Sequence, residues 1–178
     1  MSRGPRSLAR ERALGLIYEA ELKSVPPSDV LAELPAPPDP FAVELVEAVE
    51  QNLSRIDPLL AAAAVDWELS RMPVVDLTVL RLAVAELITW PETPVAVILD
   101  EAVELAKEFS TEESGKFVNG VLSSVVPKVR PDSNVGTRPP RPAENDMASG
   151  NDTASENDTA EDLETAEDLG ASDVTEGS

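Results

Sequence analysis

The residue types best placed to do chemistry are arginines crowded into ten positions near the N-terminus. The stretch RGPRSLARER, residues 3–12, holds Arg3, Arg6, Arg10 and Arg12 against one acid, Glu11. At the start of a helix, positive charge opposes the macrodipole, so helix stability alone would favour Asp or Glu there. Arg6 and Arg10 are four apart and share a face. The arrangement suits a polyanion such as nucleic acid; an inconsequential frayed terminus is the plain alternative. A second cluster, GKFVNG at 115–120, sets Lys116, Phe117 and Asn119 together near a helix start. A cation, a ring that can stack and an amide that can read a base edge suit single-stranded RNA. The competing reading puts Phe117 in the core and Lys116 in solvent.

Magnitudes limit the arginines. Each phosphate neutralised on a single strand adds roughly 0.7 to the log–log salt slope, so three or four arginines give about -2 to -3. That is weak binding, and useful affinity would need stacking, a second site or a helper protein. Other chemistry is poorly served. The chain has no histidine and no cysteine, which removes the commonest general base, the usual nucleophile pairs and the usual zinc ligands. Asp100, Glu104 and Glu108 recur every four residues beside Glu101. One row on one helix reads as a solvated face, because a metal or acid–base site wants convergence from several elements. No catalytic residue, metal or cofactor is expected.

The elements that must position these residues are helices separated by prolines. The pattern predicts a first helix over about 7–23, with Leu14, Ile17 and Tyr18 at helical spacing, then a Pro-rich connection with one short helix begun by Ser28. Asp39-Pro40 is a cap followed by proline at the first helical position. Asp57-Pro58 repeats that signal and predicts a fresh helix through LLAAAAVDW. Pro73 to Trp90 is apolar nearly all round and should be central. Arg81 inside it should pair with an acid from another helix. Thr93-Pro94 opens a helix with Val95, Ile98, Leu99, Ala102, Val103, Ala106 and Phe109 on one stripe. Ser110 and Glu113 match a capping box ahead of the last helix. The expectation is an all-α domain of six or seven helices over residues 1–130.

Charge divides the chain near residue 130. Residues 1–130 hold 12 basic and 21 acidic side chains, whereas 131–178 hold 2 and 13. The second segment repeats END and AEDL, has no aromatic residue and cannot bury enough apolar area to offset its ordering entropy. It is expected to be a disordered acidic tail that solubilises the chain or competes with RNA for the arginines. The N-terminus lacks an apolar signal-peptide core, and the longest apolar stretch is broken by Asp76, Arg81 and Glu86. A cytoplasmic chain without a membrane association is expected.

Three stretches resemble the NusB family of transcription antitermination factors. LARERALGLIYEAE is similar to its N-terminal helix and VVDLTVLRLAVAEL to its central helix. TPVAVILDEAVELAKEFSTEESGKFVNGVLSSV resembles its most distinctive region. The similarity runs from residue 6 to about 130. Asp100, Ala85 and Ser123 depart from the commoner Asn, Tyr and Asp. The resemblance implies an all-helical, NusB-like bundle without catalysis. It implies binding to single-stranded boxA RNA of ribosomal RNA operon transcripts, together with ribosomal protein NusE, within the RNA polymerase elongation complex. It maps RNA contact to Arg3, Arg6, Arg10, Arg12, Lys116, Phe117 and Asn119, with Glu113 tuning affinity. Tyr18, Glu68 and Asp76 are the expected protein-partner residues, since acids complement a basic ribosomal protein. A homodimer is within the family's range. An acidic all-α scaffold that binds only proteins is the alternative. A methyltransferase fusion, which the family also contains, would need a second αβ domain that 131–178 is too short and polar to supply.

Overall fold

The computed structural model describes residues 4–64 and 67–133. These hold six α-helices, a 3-10 turn and no strand: α1 Pro5–Lys23, α2 Pro27–Ala32, α3 Pro40–Ala63, the turn Leu69–Arg71, α4 Val74–Thr89, α5 Val95–Phe109 and α6 Glu112–Val129. All lie within the unit Met1–Thr137. The expected tail falls, from residue 134 onward, outside the described residues.

Local signals explain most boundaries. Proline stands at the first turn of α1, α2 and α3, where its missing N–H is harmless. The Asp39 carboxylate accepts from the Phe41 N–H at 2.8 Å, capping α3. α1 ends on Ser24 in the left-handed region, φ 55°, with its N–H returned to Ala20 and Glu21.

α4 is the axis of the bundle, packed by α1, α3, α5 and α6. Val79, Leu80, Leu82, Val84 and Leu87 on it are all at most 2% exposed, as its all-round apolar pattern demands. α2 closes the side formed by α1 and α3.

Two expected boundaries move. No new helix begins at Asp57-Pro58, because α3 continues through Pro58 to Ala63. The proline ring faces solvent, while Ile56 and Leu60 are fully buried on the core face. Their burial offsets the missing backbone bond. Asp57 is not a cap; its two oxygens accept from Arg81 at 2.9 Å each. Glu21 of α1 takes the remaining side of that guanidinium, so Arg81 ties three helices together. Likewise α6 is capped by Thr111, whose Oγ1 accepts from the Ser114 N–H at 3.0 Å, rather than by Ser110. Phe109 also leaves its expected stripe, at 43% exposed.

Candidate nucleic-acid interface

The N-terminal arginines occupy different environments, and Arg3 lies outside the described residues. Arg6 is exposed, with its guanidinium 5.1 Å from the centroid of Phe41. Phe41 in turn meets Trp90 edge-on at 5.5 Å. Arg6 is therefore braced on a fixed ring and still open to solvent. Arg12 is exposed too, but on another side of α1, at the rim of a groove of about 510 Å³ shared with Leu8, Tyr18, Val75 and Phe109.

Arg10 corrects the expectation. It is 3% exposed and its Nε and Nη2 donate to the two oxygens of Glu86, at 2.9 and 2.5 Å. Glu101 stands 3.8 Å from its Nη1. Burial alone would lower the guanidinium pKa; the hydrogen bonds and charge of Glu86, helped by Glu101, outweigh it and hold Arg10 above its ordinary value. Arg10 is an internal counter-ion rather than a surface contact. The reason is Glu86, 1% exposed on the most apolar helix, which must have a cation. Sequence reasoning passed over a usable signal. Arg10 falls in register with Ala13, Leu14 and Ile17, all buried, so helical spacing alone places it on the inward face.

The second cluster sits at the start of α6. Lys116 is exposed and donates to Glu113 at 2.8 Å; that hydrogen bond, then the charge of Glu113, raises its pKa. Asn119 is exposed. Phe117 is half-buried, packed on the core on one side and against Trp67 on the other, ring centroids 5.9 Å apart. Neither competing reading of Phe117 is complete, since the ring is both core edge and surface.

The two clusters lie at opposite ends of α4. Arg10 grips Glu86 near its C-terminal end, while Ser114 of α6 donates to Asp76 in its first turn at 2.9 Å. Ten residues of helix separate those anchors, about 15 Å. A ligand that used both clusters would have to span that distance.

Among the expected partner residues, Tyr18 is half-buried and lines the groove. Glu68 is exposed and pairs loosely with Arg71 at 3.4 Å. Asp76 corrects the expectation: it is 3% exposed and occupied by Ser114, with its Oδ1 unpartnered among the described residues. It holds the α4 and α6 N-termini together and offers no surface charge. Arg130, which the sequence reading did not single out, donates to the carbonyls of Leu87, Trp90 and Thr93 at 2.8, 2.6 and 2.6 Å. It caps the C-terminal end of α4, where a cation is favoured. The acids of α5 behave as a solvated row: Asp100, Glu104 and Glu108 are exposed. Among the described residues no group of His, Cys, Asp and Glu could hold a metal ion. Nor is any described helix long and apolar enough to cross a membrane.

The model of the NusB family matches residues 7–127. The chain is 46% identical over 127 residues to the transcription antitermination protein NusB of Streptomyces griseus, covering 66% of this chain and 89% of that protein. It is 44% identical over 143 residues to that of Acidothermus cellulolyticus, covering 78% and 96%. Among solved structures it is similar to T. maritima NusB, with a TM-score of 0.63 and 34% identity over 70% of this chain and 92% of that one. It is also similar to a chain in the complex of antitermination factors NusB and NusE with dsRNA. There the TM-score is 0.60 and the identity 29%, over 67% of this chain and 94% of that one.

Proposed function

The chain belongs to the NusB family, and on that premise we propose that it is a non-enzymatic transcription antitermination factor. In this reading it binds boxA RNA of ribosomal RNA operon transcripts jointly with NusE and enters the RNA polymerase elongation complex. The observation that carries the reading is the match over nearly the whole helical unit to proteins of that name, one of them solved with NusE and RNA.

The geometry supplies a division of labour. Arg6 and Lys116 are exposed cations on separate elements and suit phosphates, with Asn119 three residues from Lys116; Arg12 is exposed on another side of α1, at the groove. Arg10 holds α1 against α4 and so fixes where Arg6 stands. Two or three open cations on residues 1–130, of net charge -9, give weak binding alone, so the protein partner carries much of the affinity. The groove with Tyr18 at its wall is the surface for that partner, apolar inside and rimmed by Glu11 and Arg12.

The test is a titration of a boxA-like RNA strand with the full chain, with and without NusE, at two salt concentrations. Arg6→Ala with Lys116→Ala is expected to reduce the log–log salt slope by about 1.4, roughly 0.7 per phosphate contact on a single strand. Unchanged slope and affinity would instead favour the protein-only scaffold.

A further inference from the structure

Trp67 is 53% exposed, in the turn between α3 and α4. Its backbone N–H donates to the Ala64 carbonyl at 3.0 Å, and its ring is tilted 57° against Phe117. Phe117 is anchored in the core, so the indole is an open plane braced on a fixed wall. A single exposed apolar residue needs no explanation. The surroundings make this one informative.

Arg71 and Lys116 are exposed near the two rings in sequence, but each is matched by an acid three residues back, Glu68 at 3.4 Å and Glu113 at 2.8 Å. The acids offset part of the local charge, so beyond the phosphate contact of Lys116 this patch attracts a polyanion weakly. What it offers is aromatic surface, and every nucleobase has a face that can stack on it. The patch is also distinct from the groove at Tyr18, whose wall does not include Trp67. Through Phe117 it is continuous with the α6 cluster already read as RNA-facing.

We propose that Trp67 is a base-stacking residue: a nucleobase of a single-stranded RNA packs on its exposed indole face, with Phe117 as the brace. This rests on the RNA reading of the preceding section and extends it from α6 to the turn after α3. A paired base has no free face, so the contact selects single strands over duplex.

The experiment uses the full chain with NusE and a 12-nucleotide boxA-like RNA, free or annealed to its complement. Trp67→Ala is expected to weaken binding of the free strand roughly 5- to 150-fold. Its salt slope should stay within about 0.3 of the parent, since no phosphate contact is lost. Trp67→Phe retains a ring and should lose far less, and neither variant should change duplex binding. In the unaltered chain the strand should quench indole emission, and the quench should vanish in Trp67→Phe, which keeps only Trp90 as emitter; this readout does not depend on the alanine variant folding. Strand affinity of Trp67→Ala within twofold of the parent overturns the stacking assignment and leaves the RNA reading standing, as does a quench that persists in Trp67→Phe. Loss of NusE binding by Trp67→Ala without RNA would assign the ring to a protein interface and overturn it equally. An unaltered chain that binds no RNA, even with NusE, removes both.

Discussion

Glu86→Gln should cost this protein a large part of its stability while leaving its shape in principle attainable. The side chain is 1% exposed and meets Arg10, itself 3% exposed, through two hydrogen bonds. The amide is isosteric but neutral, and one of its two polar ends becomes a donor facing a donor. The Arg10 charge stays buried with only Glu101, 3.8 Å away, to offset it. Breaking such a pair from one side costs about 3–5 kcal/mol, against a total for a domain of about 5–15 kcal/mol. With about 2.1 cal/mol/K per residue over a domain of about 130 residues, that lowers Tm by about 10–18 °C. Thermal unfolding followed by circular dichroism at neutral pH measures it. The companion variant, Arg10→Met with Glu86→Leu, removes both charges and should recover most of the loss. It should also keep the RNA salt slope of the parent, because Arg10 touches no phosphate. A melt within about 3 °C of the parent for Glu86→Gln would refute the burial argument. A slope reduced by about 0.7 in the double variant would return Arg10 to the RNA surface.

Three further outcomes are expected. Ser114→Ala withdraws the hydroxyl that Asp76 accepts from at 2.9 Å and should destabilise by about 1–3 kcal/mol in urea unfolding; no change in midpoint would mean that another donor already serves that carboxylate. Arg130→Lys should cost nearly as much as Arg130→Ala, since a point charge cannot reach the Leu87, Trp90 and Thr93 carbonyls together as the guanidinium does; full stability in the lysine variant would reduce the cap to simple charge. Deleting residues 134–178 removes 12 acidic and 2 basic side chains and should tighten RNA binding most at low salt, where screening is weakest. Equal low-salt affinities with and without the segment would dispose of electrostatic competition.

By itself the sequence determined the helical class, most helix starts and the choice of central helix. Proline at a first turn, Asp39 as a cap and an unbroken apolar run act within a few residues, so they are legible from the chain alone. It also determined that positive charge gathers near the N-terminus against an acidic remainder. Only the tertiary structure decided which of those charges are available. Arg6 and Arg10 look alike in sequence, yet one is open on Phe41 and the other is closed on Glu86, 76 residues away. Asp76 turned inward for the same reason, its partner Ser114 lying 38 residues on. Pro58 failed to start a helix because Ile56 and Leu60 bury against neighbours that no local rule sees, and Trp67 found Phe117 across 50 residues of chain. Short-range signals fix backbone conformation cheaply, but the partner of a buried charge or the neighbour of a ring is set by packing, which exists only once the helices have met.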